Sequence, residues 1–413
     1  MYDLCVIGGG VAGISAAISA ARHGMKVAII EKEKKLGKKL YATGNGRCNL
    51  TNKYIDLEKC YNSSDESYVD FLESIIGYEA DYEVEEFCAS IGILTEEVKD
   101  YVYPKSNQAS SVVWAMIDKL AELGVKIHFK TLIHEIARVD SLFVLKAENE
   151  EFKCSQVIIA CGGMSYTSLG GTDSGYKLAK STGHFVTNIR PALCGLVTSD
   201  EITVLSGVRA KAKISVYKNN DYGYDLIAAE MGELQITDYG LSGIMAFNVS
   251  SLVGKMLESN TDYTVSLDFL PNIDLKKAKL IYDSSKERTL AGFLNTFLND
   301  KLALYFVEKY FKDSKLKLQK LDFYDVEELI QDIKNYDINI TGLKDFEQAQ
   351  VCAGGVSINQ MSNESLMSIH QEGMYFAGEV IDIDGICGGY NITFAMLSGK
   401  KAGESAYAKT KSN

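Results

Sequence analysis

Three segments of this chain hold residues whose types and spacing could do chemistry. The first runs from Asp3 to Gly13 and places Gly8, Gly10 and Gly13 in a G-x-G-x-x-G pattern directly after an apolar run. Gly8 permits a tight turn, Gly10 lets backbone approach a pyrophosphate, and Gly13 lets a helix pack close to a strand. The helix N-terminus adds attraction for phosphate charge. A second apolar run, Val27–Ile30, then ends in Glu31, about 20 residues on, the register at which a carboxylate meets an adenosine ribose. This unit binds an ADP moiety and leaves NAD and FAD both open. The second segment, Tyr41–Asn52, is dense in Gly, Asn and Thr and reads as an ordered loop. The third is an apolar run, Gly373–Phe376, reaching Gly378-Glu379, followed by glycine-rich Asp382–Ile392 and a helix from Thr393 to about Lys409. An extended FAD needs such a second strand–glycine–helix switch. A helix start near Gly389–Ile392 could also stabilise negative charge at N1/O2 of a reduced flavin.

The elements that must position these segments follow from periodicity. Helical spacing is read over 66–91 and over 108–123, the latter stopped by Gly124. Short β runs follow at Val125–Phe129, Leu132–Ala137 and Leu142–Ala147, then a buried strand at Gln156–Cys161 ending in Gly162-Gly163. A helix after Gly175 ends near Gly183. Near Pro191 the composition shifts: residues 202–270 favour strands, and the chain reads as helical after Pro271. The expected fold is α/β, a two-dinucleotide-type FAD-binding Rossmann-like domain of residues 1–190 and 348–413. Residues 191–347 form an inserted substrate domain, β-rich over 191–270 and helical over 271–347.

Bulk properties exclude more than they name. With 43 basic and 55 acidic residues the net charge is −12, which argues against nucleic acid as an obligate partner. The nine cysteines are scattered without C-x-x-C, and the five histidines offer no metal spacing. Asp3 stands where a signal peptide needs a basic region, and no apolar run reaches membrane-spanning length. A cytoplasmic location, no membrane and no metal are expected. The oligomeric state is left open.

The segment Gly37–Asn52, with Arg47-Cys48-Asn49 at its centre, resembles the signature of the BaiN-like family of bacterial FAD-dependent oxidoreductases, which includes aminoacetone-oxidase-like members. Tyr103–Ser106, Ala160–Gly163 with Ser165-Tyr166, Tyr239–Gly243, Gly354–Val356 and Gly378–Asn391 also resemble it, in the family's order. The resemblance implies an FAD domain interrupted by a β-barrel-like and helical insert. Gly8, Gly10, Gly13 and Glu31 would hold ADP. Lys39 and Arg47, Cys48 and Asn49 would border the pyrophosphate and flavin, beside Gly162. Gly378 and Glu379 would meet the ribityl–phosphate region, and Gly389, Tyr390, Asn391 and Ile392 the isoalloxazine. The chain departs from the family at Thr237-Asp-Tyr-Gly240, where a histidine is usual, and Ser174 stands where the family has an acid. Tyr41, Asp238 and Tyr239 are the acid–base candidates by their place in motif loops, and Cys48 is a redox thiol or a packed loop residue. The expected activity is NAD(P)H-driven reduction of an enone-type C=C bond, bile-acid intermediates being one substrate class. NAD(P)H would dock transiently, since no second dinucleotide fingerprint exists. A flavin amine oxidase using O₂ and a non-catalytic flavin-binding module are the alternatives.

Overall fold

The computed structural model describes residues 1–221 and 223–412. The chain divides into two compact units, Met1–Pro191 with Ala349–Asn413, and Ala192–Gln348. In the first, seven strands make the main sheet: β1 (Tyr2–Ile7), β2 (Val27–Ile30), β3 (Lys126–His128), β4 (Glu135–Val139), β5 (Leu142–Lys146), β6 (Glu151–Ile159) and β7 (Met374–Phe376). Their order is β3-β2-β1-β6-β5-β4, with β7 also on β6. β1, β2, β3, β6 and β7 run parallel, while β4 and β5 form an antiparallel flap on the first half of β6. The burial of β6 follows this arrangement: it alternates over its first residues and is continuous over its last four. Strands covered on both faces lose the period-two pattern.

Two helices lie against each other beside this sheet, α1 (Val11–Arg22) and α2 (Tyr390–Ser412). Their contact depends on absent side chains. A Cβ at Gly399 would sit 2.2 Å from the Ala12 carbonyl oxygen, and one at Gly403 would sit 2.3 Å from that of Ala16. This packing lays the helix that follows the glycine-rich segment on the helix that follows the fingerprint.

The sequence expectations need correction at several points. The run at 125–129 does not join the short β runs that follow it; it is β3, paired in parallel to β2. The buried strand begins at Glu151, earlier than its apolar core implies, because its first half is half-exposed. The helical span 66–91 is two helices, Tyr68–Ile75 and Ala80–Ser90.

The second unit is a seven-stranded antiparallel sheet with helices around it. The edge strands, Tyr336–Ile338 and Ile340–Leu343, are separated in the chain by Asn339 alone, so the sheet rolls back on itself through continuous backbone. These strands lie in the stretch read as helical. Conversely, helix Ile244–Glu258 lies in the stretch read as strands; it is apolar on most faces because it is buried against the sheet. Helices Leu275–Ser284, Leu290–Leu294, Asp300–Phe311 and Phe323–Lys334 share one apolar core with the sheet. Among the described residues no helix is long and apolar enough to cross a membrane.

Candidate functional site

The fingerprint glycines do different jobs, and the geometry separates them. Gly8 has φ +108, and a Cβ there would lie 2.3 Å from the Ala160 carbonyl oxygen on β6's exit. A Cβ on Gly13 would lie 1.9 Å from the Gly8 carbonyl oxygen. Both glycines are therefore demanded by the fold. At Gly10 nothing lies within 4 Å of such a Cβ. Gly10 also starts α1 without any side-chain cap, so the first-turn N–H groups face open space and suit a phosphate. Glu31 is buried, its Oε2 accepting from the Gly9 N–H at 2.5 Å and its Oε1 from the Glu33 N–H at 2.7 Å. A carboxylate offers about four lone-pair positions, so two remain for ribose hydroxyls.

The second group is an ion-pair cluster. Lys39 Nζ lies 2.8 Å from Glu379 Oε2 and donates to Ser165 Oγ at 2.5 Å. Ser165 donates to Glu379 Oε1 at 3.0 Å, and the Cys352 N–H donates to the same oxygen at 2.9 Å. Lys39 and Glu379 thus neutralise each other. Gly162 and Gly163 clear the space beside them: a Cβ on Gly163 would meet Glu379 Oε1 at 2.9 Å, Cys352 Sγ at 3.0 Å and the Tyr176 hydroxyl at 3.0 Å. Ser165, Cys352 and Gly163 were not among the predicted site residues. The Gly-Gly followed by Ser165 was their only sequence signal.

The Arg47-Cys48-Asn49 loop is tightly held. Gly44, Asn45 and Cys48 are left-handed, at φ 55, 54 and 61. The Cys48 side chain is fully buried, and burial pushes its thiol up to about 12. That thiol packs and is not a nucleophile. Arg47 lies over the Tyr103 ring, 4.8 Å from its centroid. Asn49 Oδ1 is buried and has no hydrogen-bond partner among the described residues. An orphaned acceptor of this kind fits the N–H or hydroxyl groups of a flavin and its ribityl chain.

At the C-terminal segment the structure redistributes the predicted roles. Gly389 has φ +99, and a Cβ there would lie 2.9 Å from the Thr51 backbone. The Tyr390 side chain is buried, stacked edge-on against Tyr61, with its hydroxyl donating to the Tyr54 carbonyl at 2.9 Å. Asn391 closes both ends of its amide on one residue: Oδ1 accepts from the Gly385 N–H at 2.9 Å and Nδ2 donates to the Gly385 carbonyl at 2.7 Å. These two side chains serve the fold. Any approach to a flavin from positions 389–392 is left to the backbone N–H groups that open α2 and to half-buried Ile392. Gly378, φ +74, is placed by its N–H donating to Ser398 Oγ at 3.0 Å.

The acid–base candidates do not form one constellation within either unit. Tyr41 is 37% exposed in the first unit. In the second, Asp238 is exposed, and Tyr239 packs on Gly195 with Lys344 Nζ 4.5 Å from its ring centroid. A carboxyl that sequence reasoning passed over is Asp382, 1% exposed, with Oδ1 unpartnered among the described residues. Burial raises its pKa above the ordinary carboxylate value, opposed by hydrogen bonds from Ser64 and Thr187.

A family model described as HI0933-like protein Rossmann domain matches residues 2–405. The chain is 36% identical over 418 residues, 98% of it and 99% of the relative, to a 3-dehydro-bile acid delta(4,6)-reductase of Clostridium scindens. It is 26% identical over 409 residues, 96% of each chain, to a ribosomal RNA dihydrouridine synthase of Escherichia coli. Among solved structures, a 3-ketosteroid delta1-dehydrogenase from Sterolibacterium denitrificans superposes with TM-score 0.52 at 12% identity, covering 99% of each chain. The open conformation of a flavocytochrome c3 fumarate reductase gives TM-score 0.50 at 14% identity, covering 98% of this chain and 78% of that one. At such identities the likeness is one of fold.

Proposed function

This chain belongs to the HI0933-like Rossmann family and is an FAD-dependent oxidoreductase, and on that footing we propose that it reduces an enone. A hydride would reach the β-carbon of a C=C bond conjugated to a carbonyl, and a proton the α-carbon. NADH or NADPH would be oxidised in exchange. The observation that carries this reading is the whole-length relative at 36% identity, named for delta(4,6) reduction of 3-dehydro bile acids. Bound FAD would supply the two-electron relay at N5 between donor and substrate.

The chain's own residues would bind and orient. Gly10 and the first turn of α1 would take the pyrophosphate, and Glu31 the adenosine ribose. Asn49 Oδ1 would accept from the cofactor's flavin half. The opening N–H groups of α2, held by Gly389 and by the Asn391–Gly385 clamp, would favour negative charge on the reduced ring. Lys39 would sit at the phosphate–ribityl side, fixed by Glu379 and Ser165.

Anaerobic mixing of the FAD-loaded protein with NADH, then NADPH, tests this. The flavin's visible absorbance should bleach with one of them and return on addition of a steroid 4-en-3-one. A colourless protein that takes up no FAD would sink the reading. So would bleaching that only O₂ reverses, with peroxide formed from an amine. An RNA arm in the same panel decides whether the dihydrouridine synthase likeness extends to substrate.

A further inference from the structure

Reduction of an enone needs a proton at the α-carbon, and Tyr41, Asp238 and Tyr239 form no constellation within either unit to supply it. A donor for that step needs an O–H that no acceptor of the chain already holds, and enough solvent contact to regain its proton. Nine tyrosines are half-buried among the described residues. Eight of them have a ring, a cation or a hydrogen-bond partner. Tyr166 alone has none: no acceptor takes its hydroxyl proton, and no ring or cation lies against its face.

Its backbone is as unusual as its side chain. Twelve non-glycine residues among the described ones are left-handed, and Tyr166, at φ 52, is the one aromatic in that set. A bulky side chain is rare in this region and persists only where its surroundings impose it. Here they do. The Tyr166 carbonyl accepts from the Leu169 N–H at 2.8 Å and from the Gly171 N–H at 3.0 Å. A Cβ at Gly171 would lie 2.3 Å from the Ser165 carbonyl oxygen and 2.6 Å from that of Met164, so a glycine is what lets the loop close on itself. The Thr172 N–H completes the closure on the Gly163 carbonyl at 2.9 Å. The residue before Tyr166 is Ser165, whose Oγ meets Lys39 Nζ at 2.5 Å and Glu379 Oε1 at 3.0 Å, the ion pair at the phosphate–ribityl side of the cofactor. The Tyr166 Cα is therefore about 3.8 Å from the Cα of a residue in that cluster. The loop fixes the tyrosine beside the cofactor and leaves its hydroxyl unspent.

We propose that Tyr166 is the catalytic acid that protonates the substrate's α-carbon. This rests on the enone-reductase reading and names the proton donor which that reading lacks. As hydride reaches the β-carbon, the α-carbon forms its new C–H bond with the phenolic proton, and the Tyr166 O–H bond breaks. The two electrons come from NADH or NADPH through the bound FAD, and water returns a proton to the phenolate.

The test isolates the oxidative half-reaction in the FAD-loaded full chain. The flavin is bleached anaerobically with dithionite, so that no nicotinamide is needed, and its reoxidation by a steroid 4-en-3-one is followed by rapid mixing. Tyr166→Phe should slow that reoxidation roughly 100-fold or more, the worth of a positioned acid. Its FAD content should equal the parent's. So should the melting midpoint of the protein stripped of FAD, because the lost hydroxyl leaves no partner behind. Tyr166→Asn, a residue that tolerates the left-handed region, should be reoxidised as slowly. Reoxidation of either variant within about threefold of the parent overturns the proposal and leaves the enone-reductase reading standing. Release of FAD by Tyr166→Phe, or a lowered midpoint, also overturns it, since the hydroxyl would then serve the cofactor or the fold. A parent whose bleached flavin no enone reoxidises removes the enone-reductase reading and this proposal together.

Discussion

Single residues separate what the fold needs from what the cofactor needs. Gly13 and Gly10 belong to the same motif, yet a methyl group at Gly13 strikes the Gly8 carbonyl while one at Gly10 meets only open space. Gly13→Ala should therefore destabilise the cofactor-free protein by roughly 1–3 kcal/mol, because backbone must move. Gly10→Ala should leave that stability within about 0.5 kcal/mol of the parent. It should nevertheless weaken FAD binding roughly tenfold or more, since its methyl group occupies the phosphate's approach. Thermal melts without FAD and fluorescence titrations with it check both. Equal loss of FAD affinity without any stability difference between the two variants would contradict the assignment. Lys39 and Cys48 teach a similar lesson: a charge and a thiol in a motif loop turn out to be satisfied by Glu379 and by burial.

At the scale of elements, the start of α2 is prepared before any ligand arrives. Asn391 spends both amide groups on Gly385, and Thr393 ties the same turn to Thr51 through a 2.8 Å hydroxyl contact. A residue whose only duty was to touch flavin would leave the cofactor-free protein unchanged when truncated. Asn391→Ala should instead cost that form about 1–3 kcal/mol, because two buried backbone groups of Gly385 lose their partners. Differential scanning calorimetry of protein stripped of FAD measures this. An unchanged midpoint would return Asn391 to the flavin. The α1–α2 contact ties this element to the fingerprint helix: glycines at 399 and 403 let the last helix lie on the first.

For the whole molecule, each unit has its own apolar core. The strand at which the chain leaves the first unit, Arg190–Ala192, pairs with the strand by which it returns, Val351–Ala353. Replacing residues 193–348 by a short Gly/Ser linker should leave a protein that still binds FAD. In the intact chain, FAD should raise the midpoint of one thermal transition and leave a second unmoved, since ligand stabilises only what it binds. A single transition that moves as one would show the units to be energetically inseparable. Much of the first unit was legible in the residues because its signals are local: the fingerprint, Glu31 and the glycine-rich segment each lie within one turn and its flanking elements. What the residues could not disclose depends on partners far away in the chain. Lys39 meets Glu379 across 340 positions. The run at 125–129 joins β2, about a hundred positions earlier, and not the β runs that follow it. The strands at 336–343 follow four helices and are decided by the sheet edges they pair with. The sequence by itself therefore determined the ADP-binding unit and the chemical class of the cofactor, since turn geometry and hydrophobic period are properties of neighbours. Only the tertiary structure decided which motif side chains are consumed by the fold and which, like Asn49 and Tyr166, remain free to meet something else.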